Sequence, residues 1–187
     1  MRRAVFLDRD GVINANLERD GRPVAPTTLA EFQILPGVVE SVRRLKERGY
    51  LVIVITNQPD VAEGRTARST VDAMHDLIRR QLAVDDIKVC FHNVSAGCAC
   101  RKPKPGMILE AAAEHGIDLA GSYVVGDRWR DVAAGRAAGC VTFFVDYGYQ
   151  QDEPNFPDVV VKSLAEAVAL ILSRENDLDA SGRRTSP

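Results

Sequence analysis

Residues 2–14 read RRAVFLDRDGVIN: four apolar residues, Ala4 to Leu7, run into Asp8 and Asp10, with Arg9 between them and Gly11 directly behind. An unbroken apolar run of this kind fits a strand covered on both faces. Side chains two residues apart in an extended chain project to the same side. Two like charges placed together there repel, unless a cation or a reaction requires them. The pair therefore marks the end of one strand as the place to look for chemistry.

The pattern recurs along the chain. Apolar or β-branched runs at 51–56 (LVIVIT), 87–91 (IKVCF), 122–126 (SYVVG), 140–145 (CVTFFV) and 158–161 (DVVV) predict further strands. Between them, 37–48, 66–83, 106–115 and 130–138 space their apolar or alanine residues near the 3.6 period of a helix. A last helix is expected over 163–173, where Ser163 and Glu166 form a capping-box pattern. Gly49 and Gly116 stand where helices should stop. Strands alternating with helices predict an α/β fold: a Rossmann-like, mostly parallel sheet with helices on both faces. Ligands of such sheets bind beyond the carboxyl ends of the strands. Asp8, Asp10, Thr56, Asn57 and Asp127 all lie at the ends of apolar runs and should gather at one edge.

Residues 12–35 show no regular pattern apart from LAEFQIL at 29–35 and read as a small flap, a minimal cap. Residues 174–187 contain one leucine and read as a frayed polar tail, which leaves 1–173 as a single domain. The length of 187 residues, with 45% hydrophobic and 27% charged side chains, suits one soluble globular domain. A net charge of −2 gives no positive field for nucleic acid or an anionic membrane. The apolar run at the amino terminus is too short for a signal peptide, so a cytoplasmic protein is expected. No long apolar surface stripe is evident, and a monomer is expected.

Three of the four cysteines crowd into CFHNVSAGCAC at 90–100. Cys90, His92, Cys98 and Cys100 make a complete Cys₃His set, the composition of a closed structural zinc site. Zinc would clamp a loop that leads straight into Arg101 and Lys102. Cys140 reads as a small buried hydrophobe.

Hard carboxylate oxygens from Asp8, Asp10 and Asp127 favour Mg²⁺. An aspartate can also accept a phosphoryl group, which divides one hard displacement into two easier ones. Asp8 is placed for that attack, and Asp10 for proton transfer to the leaving oxygen and from the attacking water. Phosphoryl transfer spreads charge over oxygens that need positioned donors; Thr56, Asn57 and a lysine of CRKPKPG at 100–106 are the natural suppliers. Taken singly each signal has a bland reading: Asp-x-Asp as a turn, Thr56 and Asn57 as a strand end, Asp127 as a helix cap.

Together, FLDRDGV (6–12), VITNQ (54–58), CRKPKPG and VVGDRWRD (124–131) fall in an order that resembles the haloacid dehalogenase (HAD) superfamily of aspartate-dependent phosphatases. DRDGVIN, TNQ and the Cys-x-His…Cys-x-Cys-Arg-Lys-Pro segment resemble its group of heptose bisphosphate 7-phosphatases and histidinol-phosphate phosphatases. The resemblance implies Asp8 as nucleophile, Asp10 as acid and base, and Mg²⁺ on Asp8, the Asp10 carbonyl and Asp127. It implies Thr56 and Lys102 on the phosphate, in preference to Lys104, with Asp131 as a supporting carboxylate. Gln58, Arg101 and Arg128 are the implied substrate contacts. A phosphorylated sugar, D-glycero-D-manno-heptose 1,7-bisphosphate, is the expected substrate, because arginines on either side of the site suit a second phosphate. Histidinol phosphate is the alternative, and a catalytically silent binding module a rival of another class.

The segment PDVAEG at 59–64 departs from the heptose group, with Asp60 in place of glycine and Glu63 in place of arginine. Arg65 is the candidate to replace that cation. His75 is expected on a partly exposed helix face, His115 at a helix end, and Trp129 either in packing or as a wall of the substrate entrance.

Overall fold

The computed structural model describes residues 1–19, 21–149 and 156–182. Six strands form one parallel sheet: β1 (Ala4–Leu7), β4 (Leu51–Asn57), β5 (Asp86–Cys90), β6 (Tyr123–Gly126), β7 (Val141–Val145) and β8 (Val159–Val161). Their order is β5-β4-β1-β6-β7-β8. The chain winds outward from β1 to β4 and β5, then crosses back to β6, so a switch in winding direction falls between β1 and β6. Open α/β sheets bind ligands at such a point. Leu7 pairs with Val54 on one side and Val125 on the other, which brings Asp8, Asn57 and Asp127 to the same sheet edge.

Each strand alternates its side chains between two apolar layers. Val5, Leu7, Val52 and Val54 face α1 (Val38–Glu47), α3 (Arg68–Gln81) and α6 (Leu164–Gly182). Ala4, Phe6, Ile53 and Ile55 face α4 (Gly106–His115) and α5 (Trp129–Ala138). All four side chains of β1 are fully buried, as its unbroken apolar run requires. Gly49 and Gly116 adopt positive φ where α1 and α4 stop. Cys140 is buried in the α4–α5 layer, as expected.

Three expectations are corrected. Residues 12–35 contain an antiparallel hairpin, β2 (Leu17–Arg19) and β3 (Arg22–Val24), while LAEFQIL yields only a 3-10 turn at Leu29–Glu31. The hairpin strands are too short and polar to show a period. The helix read over 163–173 continues to Gly182, so the expected tail begins too early; residues 183–187 lie outside the described residues. Charge, not an apolar stripe, ties this extension down: buried Glu175 pairs with Arg3 and Arg48, and Arg174 sits over the Phe143 ring. His75 is buried, not partly exposed, because Arg9 occupies the space its helix face looks into. A short helix, α2 (Pro59–Ala62), has no counterpart in the sequence reading. No helix among the described residues is long and apolar enough to cross a membrane.

Candidate active site

A cavity of about 470 Å³ opens at the carboxyl ends of β1, β4 and β6. Asp8, Asp10, Asn57, Gln58, Arg101, Lys102, Asp127, Arg128 and Asp131 all line it. Carboxylate oxygens of Asp8, Asp127 and Asp131 lie within 4.8 Å of one another. The Lys102 ammonium reaches 2.8 Å from Asp8 Oδ1 and 2.5 Å from Asp131 Oδ1, and donates to the Ile55 carbonyl at 2.9 Å. Burial opposes the charge on Lys102, but Asp131 and Asp8 outweigh it and hold the ammonium above the usual lysine value.

Three buried carboxyl groups around one ammonium leave negative charge in excess. Burial, then the Asp131 charge, pushes Asp8 up to about 7. Burial and the charges of Asp8 and Asp131 raise Asp127 well above the carboxylate range. This hard-oxygen donor set fits Mg²⁺, whose charge would reverse both shifts.

Local backbone choices make the crowding achievable. A Cβ on Gly126 would lie 2.1 Å from the Asp131 Cβ, so glycine at the end of β6 lets the first turn of α5 close onto the strand. Gly11, at φ +87°, presents its bare Cα to Asp127, where a Cβ would fall 2.3 Å from Oδ2. Asp131 also accepts from the Arg128 backbone N–H at 3.0 Å, which caps α5.

Asp10 has a different setting. Its oxygens accept from Arg9, from Asn14 Nδ2 at 3.0 Å and from Gln58 Nε2 at 2.8 Å. Burial would raise its carboxyl, but the Arg9 guanidinium and these hydrogen bonds bring it below the ordinary value. The Asp10 side chain thus stands apart from the three clustered acids.

Two expected phosphate donors have further partners. Thr56 is buried, does not line the cavity, and accepts from Gln58 Nε2 at 2.8 Å. Asn57 spends its side chain on Lys102: Nδ2 donates to the Lys102 carbonyl at 3.0 Å and Oδ1 accepts the Lys102 N–H at 3.1 Å. That double clasp fastens the lysine loop to β4. Lys104 points away, donating to the Gly97 carbonyl at 2.8 Å. Half-buried Trp129 is not among the residues that line the cavity. Arg65 pairs with both Asp60 and Glu63, so the charge of the two departures from the heptose group is partly offset by their own neighbour.

Several participants carried no sequence signal. Asn16 donates to Asp127 Oδ2 at 2.9 Å, Arg19 and Arg130 line the cavity, and Tyr147 donates to the Gly11 carbonyl at 2.9 Å. Arg128 Nε lies 3.3 Å from Asp127, and its NH2 donates at 3.2 Å to Pro23, tying the β2–β3 hairpin to the site.

Beyond the cavity wall, Cys90 Sγ, His92 Nδ1, Cys98 Sγ and Cys100 Sγ cluster within 4.8 Å of one another, a set able to hold a metal ion. Arg101 NH1 donates to the His92 carbonyl at 3.1 Å, which couples this loop to the site.

His75, behind the site, is held well below its usual value, to about 4, by burial and then by Arg9 and Arg79, against opposing pulls from Asp72 and Asp10. An unfolded histidine binds its proton near 6.5, so between pH 6.5 and 4 the unfolded chain takes up the proton first. Stability from this residue is intact above pH 6.5 and falls as pH drops through that window, by up to about 3 kcal/mol. Urea unfolding at pH 7.5 and 4.5 should show this loss in the wild type and a smaller one in His75→Gln; equal losses would contradict it.

A family model described as HAD-hydrolase-like matches residues 99–167. The chain is 40% identical over 149 residues to the D-glycero-beta-D-manno-heptose-1,7-bisphosphate 7-phosphatase of Bordetella bronchiseptica, covering 77% of this chain and 80% of that protein. The chain belongs to this family of HAD-type phosphatases. A Salmonella typhi member of the same name is 33% identical over 187 residues, covering 92% of this chain and 96% of its own. A crystal structure of the B. bronchiseptica D,D-heptose 1,7-bisphosphate phosphatase, complexed with magnesium and phosphate, superimposes with a TM-score of 0.79 at 35% identity, covering 92% of this chain and 99% of that one. Family membership makes this protein an enzyme that hydrolyses phosphate esters, on the α/β fold expected from its sequence.

Proposed function

We propose that this phosphatase removes the C7 phosphate of D-glycero-D-manno-heptose 1,7-bisphosphate by way of an aspartyl phosphate on Asp8. The observation that carries the reading is the Asp8 carboxylate at the cavity wall, anchored through Oδ1 to Lys102 and flanked by Asp127 and Asp131.

Asp8 attacks phosphorus as the bond from phosphorus to the leaving oxygen breaks, and Asp10, which must first take up a proton against the pull of Arg9, passes it to that oxygen. Water then attacks the phosphorus, Asp10 takes its proton, and Asp8 is released with inorganic phosphate. Lys102 offsets the charge between Asp8 and Asp131 throughout. Mg²⁺ held by Asp8, Asp127 and the Asp10 carbonyl, with Asp131 alongside, would neutralise the phosphoryl oxygens. Asn57 holds the Lys102 loop, and its second Nδ2 hydrogen remains to donate into the cavity it lines. Thr56 accepts from Gln58 and keeps its own O–H to donate, but it does not line the cavity.

Substrate choice follows from charge. Arg19, Arg65, Arg101, Arg128 and Arg130 ring the cavity. They match a sugar bisphosphate, whereas histidinol phosphate brings an ammonium into the same field. Turnover of both compounds should give a kcat/KM at least tenfold higher for the bisphosphate, about 1.4 kcal/mol in transition-state binding. A tenfold preference for histidinol phosphate would defeat the assignment, and failure of the Mg²⁺-loaded protein to hydrolyse any phosphate ester would favour a binding module.

Zinc belongs in the Cys₃His cluster. Tetrahedral zinc with Zn–S bonds of about 2.3 Å needs ligand-to-ligand edges near 3.8 Å between sulfurs and slightly less to nitrogen. Here two of the three sulfur–sulfur edges are 3.7 and 3.4 Å, and two of the three to His92 Nδ1 are 3.6 and 3.3 Å. All four corners come from protein, so the site would be structural.

A further inference from the structure

Arg9 stands between the two catalytic aspartates in sequence, yet it does not line the cavity. Its side chain is fully buried and faces α3. Nε lies 3.1 and 3.2 Å from the two oxygens of Asp10, and NH2 lies 2.9 Å from Oδ1, a forked grip on one carboxyl group. The opposite end of the guanidinium is held too: NH1 is 3.4 Å from His75 Nε2 and 3.8 Å from Met74 Sδ, with the Phe32 ring centroid 5.7 Å away. Since Arg9 can only donate, His75 must accept through an unprotonated Nε2.

A buried ion pair is a poor device for stability, because desolvating both charges costs about what their attraction returns. Its value lies in fixing orientation, and a planar fork backed by an acceptor fixes a carboxyl plane better than a point charge can. The second layer matters as well. Without His75 the NH1 end of the guanidinium would keep only the weak Met74 sulfur contact, and the fork would be free to tilt about its Asp10 end.

We propose that Arg9, backed by His75, is a positioning pair that sets the Asp10 carboxyl plane for proton transfer at the leaving oxygen. The inference rests on the reading of Asp10 as acid and base. As the bond from Asp8 to phosphorus forms and the bond to the leaving oxygen breaks, the Asp10 proton must arrive along that departing bond. A sugar alkoxide cannot leave without it, while p-nitrophenolate can. Misplacing a catalytic group by about 1 Å costs on the order of a hundredfold, so damage to the pair should appear in the dependence on leaving group.

The test compares kcat/KM of the Mg²⁺-loaded enzyme for the sugar bisphosphate and for p-nitrophenyl phosphate, in wild type, Arg9→Lys, His75→Leu, His75→Gln and Asp10→Asn. Arg9→Lys keeps the charge and loses the fork; the sugar-to-aryl ratio should fall by about a hundredfold. His75→Leu should lower the ratio by about tenfold, and His75→Gln, whose amide oxygen can accept from Arg9, should restore it to within about threefold. With the aryl substrate, Arg9→Lys should release a burst of p-nitrophenolate followed by slow turnover, because water attack also depends on Asp10. If Arg9→Lys does not fold, the two His75 variants carry the same comparison.

If Asp10→Asn collapses the ratio while Arg9→Lys and His75→Leu lower both substrates equally or neither, the pair is only structural and the inference is overturned. If Asp10→Asn itself leaves the ratio intact, the acid role of Asp10 fails and the positioning role fails with it.

Discussion

Asp8→Asn is expected to abolish turnover of every phosphate ester, by a factor on the order of 10⁴ or more, while leaving the fold intact. An amide cannot form the bond to phosphorus, but its oxygen can still accept from the Lys102 ammonium that lies 2.8 Å from Asp8 Oδ1. The substitution also relieves repulsion. Asp8 is held up to about 7 by burial and by Asp131, so a neutral side chain there should leave the metal-free protein at least as stable as wild type. Urea unfolding and turnover of a panel of phosphate esters measure the two effects separately. In the wild type, fluoroberyllate or vanadate should bond to the Asp8 carboxylate. A complex seated on another side chain, or appreciable activity in Asp8→Asn, would show that water attacks the substrate directly.

The second large effect concerns the metal loop. Freshly purified protein should contain one zinc per chain, and Cys98→Ser or Cys100→Ser should release it. The loop has little else to hold it: its 3-10 turn, Val94–Ala96, is exposed, and Asn93 caps it by accepting the Ala96 N–H at 3.1 Å. Losing the metal should cost several kcal/mol, roughly 10 °C in Tm for a domain of this size. The loss should reach the active site, because Arg101 donates to the His92 carbonyl and the Gly106 N–H donates to Ala99 at 3.2 Å, both across the loop that presents Lys102. Metal analysis and thermal unfolding read this without recourse to activity. Zinc-free wild-type protein with an unchanged Tm would refute the site.

The likeness to the heptose family is preserved in the acid cluster and altered at the rim. Asp60 brings a negative charge to the wall of a cavity meant for an anion, Glu63 stands close by without lining it, and Arg65 pairs with both. One cation against two carboxylates offsets only part of the added charge.

Much of this protein was legible before folding, because the signals are local. An unbroken apolar run such as AVFL can only be a doubly covered strand, and parallel strands with helical crossovers place the residue after each strand on one edge. That is why Asp8 and Asp127 could be placed on one edge from sequence; Lys102 and Asp131 were named through the family resemblance, and all four are found together. Cys90, His92, Cys98 and Cys100 come together for the same reason, since four side chains within eleven residues leave the chain few ways to arrange them. What sequence could not supply is the outcome of contacts between distant segments. Asn57 reads as a phosphate donor in the sequence, and only the fold shows that its amide also clasps the Lys102 backbone, 45 residues away. His75 looked half-exposed from its helix face alone, and only the approach of Arg9 from the end of β1 buries it. Past residue 173 the chain lacks an apolar stripe and read as a tail, yet the helix continues because Arg3, at the opposite terminus, reaches Glu175. Side-chain chemistry and short-range periodicity are written along the chain. Which donor meets which acceptor across the sheet is settled only when loops far apart in sequence compete for the same buried polar groups.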